Sequence, residues 1–370
     1  MSEAFDAAAL ANVATRALRA YDPGHDLPAL RQRFGAALVE LGSNENPLGP
    51  SPRALDAIRA AMADVWRYPD PHGSTLKAAI AARHGVDAAQ IALGNGSHEL
   101  LMVIAQCFAD AKTSVVFSEF GFAVFPIATA AAGARAIRMP ALARDHASMP
   151  FGHDLPAMAA AITADTRIVY LANPNNPTGT WFDGVALDAF LAQVPPTTLV
   201  VVDEAYAEYV TAPTWRSALH LLADHPNLIV TRTFSKAYAL AGLRVGYAMS
   251  SRSVIGVIER LRESFNVNAL ALAAAQAALG DDAQVAATRE WNAAEREWLA
   301  ARLRERGLRV LPSQTNFLLV DFARDAAPIE AALFARGVIV RPMAGYGLPE
   351  CLRISVGSRA ESLRLLDGLP

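Results

Sequence analysis

Between residues 113 and 249 the chain alternates short β-branched runs with alanine-rich segments of helical pattern. The runs TSVVFS (113–118), ARAIRM (134–139), TRIVYLA (166–172), TTLVVVD (197–203), NLIVTRT (227–233) and LRVGYAM (243–249) predict strands. HELLMVIAQCFAD, DLPAMAAAIT and GVALDAFLAQV predict helices between several of them. Continuous apolar strands interleaved with helices predict an α/β fold whose mostly parallel sheet is covered on both faces.

After about residue 265 the pattern changes. A long helical region, 282–306, leads into shorter strand runs, RVLPS, NFLLVDF, GVIVRP and LRISVG, with helices over AAPIEAALFARG and RAESLRLLDGL. The expected organisation is an N-terminal arm over 1–45, a large α/β domain over 46–280 and a smaller α+β domain over 281–370. The arm is expected to pack against the small domain or a partner subunit.

Composition narrows the function classes. The 370 residues are 53% hydrophobic and 19% charged with a net charge of −3, so there is no basic footprint for nucleic acid and no polybasic membrane anchor. Cys107 and Cys351 cannot build a disulfide framework and neither sits at a metal-ligand spacing. No metal is expected. The longest uncharged stretches are interrupted by Pro, Gly, Asn or Gln and fall short of a bilayer span, and MSEAFDAAAL lacks a basic region followed by an apolar run. A cytoplasmic protein with small-molecule partners or copies of itself is expected. The chain has three lysines, Lys77, Lys112 and Lys236, against thirty arginines. Lys77 lies on an amphipathic helix and Lys112 in a turn, whereas Lys236 stands in the apolar stretch TRTFSKAYALAGLRVGYAMS, where an amine that can lose its proton does what guanidinium cannot.

Ligands of an α/β sheet collect at the carboxyl ends of its strands, and five stretches are placed for that. In ALGNGSHELLMVIAQCF (92–108) a Gly-Asn-Gly turn opens into a helix at Ser97-His98-Glu99, offering backbone N–H groups to a phosphate; a structural cap is the alternative. LANPNNPTGT (171–180) makes a stiff loop that aims Asn176, or simply an Asx-bonded turn. TTLVVVDEAYAEY ends a strand on Asp203, with Tyr206 close behind; the acid either holds a ring-nitrogen cation or is bonded to backbone N–H groups. A Walker B reading of that strand lacks its G-x-x-x-x-G-K-[ST] partner. Thr233, Ser235, Lys236 and Arg244 combine hydroxyl, amine and guanidinium, as a phosphate cradle beside a nucleophile requires; a lysine ion-paired with Asp203 or Glu204 is the structural alternative. In GVIVRPMAGYGLPECLRISVG, Arg341 and Arg353 flank short strands, Arg353 placed for a two-pronged carboxylate pair.

One cofactor type uses all of these groups: an aldehyde with a phosphate arm, a phenolic oxygen and a pyridine nitrogen. Its ring face calls for an aromatic cover, which FSEFGFAVFP supplies as Phe120, with Phe122 as second choice. The strings NPNNPTG, DEAY, FSKAYALAGLRVGY, LRISVG, SNENPLGPS and RYPD, in this order-consistent spread over nearly the whole chain, resemble the fold-type I pyridoxal-phosphate aminotransferases, and within them most the histidinol-phosphate aminotransferases.

The resemblance implies a seven-stranded, mostly parallel sheet in the large domain and pyridoxal 5'-phosphate as cofactor. Lys236 would be its Schiff-base lysine and proton shuttle. Asp203 would pair with the pyridine nitrogen, Asn176 and Tyr206 with the phenolic oxygen, and Phe120 would stack on the ring. Ser97, His98 through its backbone, Ser235 and Arg244 would hold the phosphate, and Tyr68 would reach the cofactor phosphate of the other subunit in a homodimer. Arg353, Arg341, Asn316 and Tyr21 would contact substrate. Phe120 departs from the tyrosine common in the family, which removes a hydroxyl. The reaction implied is ping-pong transamination between histidinol phosphate and 2-oxoglutarate in histidine biosynthesis. An aromatic amino-acid aminotransferase or a phospho-amino-acid decarboxylase would use the same scaffold. A nicotinamide dehydrogenase would need the third glycine that GNGSHE lacks, and a non-catalytic relative would be expected to lack Lys236 or Asp203.

Overall fold

The computed structural model describes residues 6–16, 18 and 25–369. A short strand, β1 (Val39–Glu40), precedes the large sheet. That sheet is built from β2 (Ile91–Gly94), β3 (Ser114–Ser118), β4 (Arg135–Met139), β5 (Thr166–Ala172), β6 (Leu199–Asp203), β7 (Leu228–Thr233) and β8 (Gly246–Met249). Its order is β2-β8-β7-β6-β5-β3-β4, and only β8 runs antiparallel to its neighbours. Six of the seven strands are those of the apolar runs. The seventh, β2, is four residues ending at the Gly-Asn-Gly turn, too short to show a period.

Strand alternation sends successive side chains to opposite faces, and both faces are buried. One carries Val116, Val169, Val200, Val202 and Val230 against helices Ser74–His84, Gly184–Leu191 and Ala269–Leu279. The other carries Val115, Phe117, Ile168, Tyr170, Val201 and Ile229 against helices Ser97–Phe108, Val124–Ala131 and Arg252–Leu261. Tyr170 brings a hydroxyl into this second layer and donates it to the Leu101 carbonyl at 2.8 Å, its ring stacked on Phe125 at 4.8 Å. A buried phenol is tolerated where that bond is made.

Helix Asp282–Glu305 then leads to β9 (Arg309–Val310), β10 (Phe317–Asp321), β11 (Val338–Ile339), β12 (Arg341–Pro342) and β13 (Cys351–Ser355). An antiparallel sheet of order β12-β13-β10-β9 forms, and β11 pairs instead with β1, in parallel. The run GVIVRP, expected as one strand, is therefore two: the chain passes from one sheet to the other at Val340, so Val338 and Arg341 serve different partners. RVLPS shortens to its first two residues, because past Val310 the chain bends into the 311–316 turn. Residues 25–41 lie along this part of the molecule, with His25 3.5 Å from Glu330 and the Phe34 ring edge-on to Phe334.

The parallel register of the central strands positions the site. Ala172 of β5 faces Asp203 of β6, and Asp203 faces Thr231 of β7, so three loops leave one edge of the sheet side by side. Among the described residues no helix is long and apolar enough to cross a membrane.

Ile229 is fully buried at the centre of this sheet. Ile229→Ala is expected to lower unfolding stability by about 2–5 kcal/mol, read as a lower urea midpoint with an unchanged far-ultraviolet circular dichroism spectrum at zero denaturant.

Candidate functional site

At that edge lies a cavity of about 310 Å³ lined by Asp203, Tyr206, Lys236, Asn176, Arg244 and Arg353, with Ser97, His98, Thr233 and Ser235 along one side. The sequence scatters these residues from 97 to 353; the strand register and the small sheet bring them together.

Lys236 follows β7 by three residues. Its Nζ lies 3.4 Å from the carbonyls of Ser43 and Asn44 and 5.8 Å from the Tyr206 ring centroid. Among the described residues it forms no ion pair, so the structural alternative of a lysine paired with Asp203 or Glu204 does not hold. Burial pulls its pKa down to about 8, helped by the positive charges of Arg353 and Arg244 and opposed by Glu45 and Asp203. The guanidinium that matters most to it is thus Arg353, from the small sheet, ahead of Arg244. Glu204 is engaged elsewhere, 2.6 Å from Nη2 of Arg232.

Asp203 is 4% exposed. Burial pushes its carboxyl up to about 6; the Thr231 hydroxyl, donating to Oδ1 at 2.8 Å, works against that, and Glu204 works with it. A buried acid with one oxygen fixed by a neutral donor presents its other oxygen to a cation. Tyr206 is pushed up to about 12, mainly by burial, and so keeps its proton. Its oxygen accepts from Asn44 Nδ2 at 3.0 Å, which leaves its own O–H to donate. Asn176 Oδ1 accepts from Arg353 Nη1 at 2.7 Å, leaving the amide nitrogen as its donating end. The site therefore offers two neutral donors, one amine of lowered pKa and one buried acid.

The phosphate side is built from helix Ser97–Phe108 and Arg244. Gly96, with φ of +86°, sets the turn, and a Cβ there would lie 2.5 Å from Arg244 Nη2. Gly246 lets β8 approach so closely that a Cβ would fall 2.7 Å from the Ser97 nitrogen. Arg244 Nη1 donates to Ser235 Oγ at 3.2 Å and to the Ala241 carbonyl at 3.0 Å, while Ser235 Oγ also accepts from the Thr233 hydroxyl at 3.0 Å. Guanidinium, hydroxyls and the N–H groups of a helix start converge, as a phosphate dianion requires. His98 stands at this helix start with its pKa held below the usual range, through burial and then Arg244.

Several of the expected residues lie off this cavity wall. Of the two phenylalanines, Phe122 stands at the cavity wall, beside Ala123, whereas Phe120 packs edge-on against Phe151 at 5.2 Å within an apolar cluster containing Leu311, Leu319 and Met343. Its carbonyl accepts from Asn175 Nδ2 at 2.8 Å, which turns that residue's backbone toward the 173–180 loop. Asn316 is buried and off the cavity wall; its Nδ2 donates to the carbonyls of Asn44 and Glu45 at 3.0 and 3.2 Å. Arg353 has its fork on Asn176 and the Gly42 carbonyl, the latter at 2.6 Å, and Arg341 lies across from it in register, lining both this cavity and an adjoining one of about 1260 Å³. Tyr68 is 84% exposed and stacked on Phe265 at 4.7 Å, outside the cavity. Tyr21 lies outside the described residues.

The sequence reading missed a strap. Residues 42–46 cross the cavity: the Asn44 nitrogen donates to Ser355 Oγ at 2.9 Å, and Asn46 Nδ2 donates to the Ala237 carbonyl at 3.0 Å. Asn44 adopts φ of +56°, which asparagine tolerates better than most residues. The string SNENP was a visible signal, but nothing in its spacing says which strands it will bind.

The class I and II aminotransferase family model matches residues 36–369. A Pseudomonas aeruginosa protein named histidinol-phosphate aminotransferase 2 is 51% identical over 367 residues, covering 98% of each chain. A Thiobacillus denitrificans protein named histidinol-phosphate aminotransferase 1 is 49% identical over 365 residues, covering 98% of this chain and 93% of that one. The crystal structure of histidinol-phosphate aminotransferase from Sinorhizobium meliloti in complex with pyridoxal-5'-phosphate is similar at a TM-score of 0.86 and 34% identity, covering 99% of this chain and 97% of that one.

An amine with a pKa of about 8 is half neutral at pH 8, against well under ~1% for an ordinary lysine. A limiting dose of an acylating reagent at pH 8 is expected to label Lys236 ahead of Lys77 and Lys112, by mass spectrometry of peptides. Labelling in the opposite order would contradict the depressed pKa.

Proposed function

The chain belongs to the class I and II aminotransferases, and on that premise we propose that it moves the amino group of L-histidinol phosphate to 2-oxoglutarate, with pyridoxal 5'-phosphate carried on Lys236. The observation that carries this reading is a lysine just past β7 with no carboxylate within ion-pair distance among the described residues, near a buried acid at the end of β6. The cofactor, when bound, supplies an aldehyde that takes up the amino group and a ring that draws off the electron pair of the breaking Cα–H bond.

The chain's residues supply the rest. Lys236 is neutral in a large fraction of molecules near pH 8, so its Nζ can attack a carbonyl and, once displaced by substrate amine, lift a proton from Cα and return it. Asp203 holds a protonated ring nitrogen with the oxygen that Thr231 leaves open. Tyr206 and Asn176 donate to the phenolic oxygen, and Ser97, the backbone of His98, Ser235 and Arg244 hold the phosphate. Phe120 covers the ring face, with Phe122, which lines the cavity, as the second choice. Arg353 and Arg341 bind the anionic end of the substrate, Arg353 by exchanging the Gly42 carbonyl or Asn176 for an anionic oxygen, a swap its planar fork favours. The reading keeps an arm over 1–45, a large domain over 46–280 and a small one over 281–370.

A homodimer fits the surface beside the site. Met62, Val65, Trp66 and Tyr68 are 58%, 61%, 73% and 84% exposed within a few residues of one another, an apolar area larger than scattered surface residues provide. Covered by a second copy, it would carry Tyr68 toward the other subunit's phosphate.

The test is spectroscopic and kinetic. Purified protein with pyridoxal phosphate is expected to show a visible absorbance band that borohydride bleaches, and Lys236→Ala to lose both the band and turnover, by about 10³-fold or more. Asp203→Asn is expected to keep the band and lose about 10²-fold in kcat. Histidinol phosphate should exceed phenylalanine in kcat/KM; the reverse ranking transfers the protein to aromatic amino acids.

A further inference from the structure

Resting on the reading above, we infer that Arg232 is a positioning residue for the reaction: its one guanidinium clamps Glu204 and Glu208, the two carboxylates that bracket Tyr206, and so ties the Tyr206 turn to the strand that leads into Lys236.

Arg232 belongs to β7, four residues before Lys236, and is 8% exposed. Strand alternation puts it on the opposite face from Thr231 and Thr233, so it cannot reach the cavity. Its Nη2 lies 2.6 Å from Glu204 Oε2 and its Nε 2.9 Å from the same oxygen, while Nη1 lies 2.9 Å from Glu208 Oε1 and Nη2 donates to Ser217 Oγ at 3.0 Å. Glu204 is fully buried and takes further bonds from Ser217 Oγ and the Ala218 nitrogen, at 2.7 and 2.6 Å. The second oxygen of Glu208 is buried without a hydrogen-bond partner among the described residues, which leaves Arg232 to hold that carboxylate through Oε1.

Two carboxylates on one cation leave a net buried negative charge, a poor way to gain stability where apolar side chains of the same volume would pack. What the arrangement does achieve is geometric. The turn 204–208 has its two ends pinned to one planar group, and Tyr206 sits at its middle. A lysine would keep the charge but has no fork to span two carboxylates.

The experiment compares wild type, Arg232→Lys, Glu208→Gln and Tyr206→Phe as holoenzymes. Expected for both clamp variants are a kcat lower by about tenfold or more with KM within about threefold, and a pH midpoint of the bound cofactor's absorbance displaced in the same direction as in Tyr206→Phe. Faster amide hydrogen exchange over 204–209 in the apo-protein is the readout that needs no cofactor. A folded Arg232→Lys with a lower melting temperature but wild-type kcat, absorbance midpoint and exchange overturns the clamp. Where Arg232→Lys yields no folded protein, Glu208→Gln decides by the same three readings, since it removes one arm at the rim and keeps the volume. A wild-type band with unchanged variants removes the clamp alone, whereas a wild type that gives no band removes the reading beneath it.

Discussion

An amine and a carboxylate are held in one buried pocket without pairing, and the rest of the site depends on that separation. Left to themselves, Lys236 and Asp203 would neutralise each other in a low-dielectric interior. The structure gives each another neighbour: Thr231 takes one oxygen of Asp203, and the Lys236 nitrogen faces the carbonyls of Ser43 and Asn44. The second carboxylate at this strand end, Glu204, is held by Arg232 instead. Burial then acts on the two groups in opposite senses, lowering the lysine toward 8 and raising the aspartate toward 6. Both shifts have the same cause, and both bring the neutral form of each group closer to the neutral pH range than it lies for an exposed side chain.

The strap of residues 42–46 does for the small sheet what the parallel register does for the large one. Asn44 bonds Ser355 of β13 through its nitrogen and Tyr206 through its amide, so a loop residue joins an α/β strand end to the antiparallel sheet. Asn316 adds a second tie to the same strap. Arg353 reaches across to Asn176 and Gly42, and it is also the charge that most depresses the Lys236 pKa. On the proposed function, substrate recognition and lysine activation would meet in one guanidinium: an anion drawn onto Arg353 would offset its positive field at the amine, raising the lysine's proton affinity.

Chain order and chemistry were legible where a run is long or a spacing is fixed. Asp203 could be placed because LVVVD ends an apolar strand on an acid, and Lys236 because an arginine-rich chain kept an amine among small residues. β2 was not legible, since four residues ending at a Gly-Asn-Gly turn carry no period. Nor was the division of GVIVRP, because alternation cannot say that Val338 finds β1 while Arg341 finds β13. Phe120 and Phe122 illustrate the same boundary: two aromatics two residues apart share a face in an extended chain, and here the turn at Gly121 sends one to the cavity wall and the other into the cluster with Phe151.

The amino-acid sequence by itself determined the layered α/β architecture, the strand ends that bear function and the chemical inventory of the site, because these follow from local periodicity and from which side chains can donate, accept or lose a proton. Tertiary structure alone decided which of those groups touch. The Arg353 contact with Asn176 spans 177 residues and the Asn44 bond to Ser355 spans 311, separations over which no local preference acts. The pKa values belong to that second class as well, since desolvation and the field of a neighbouring charge exist only once distant segments have packed around the group.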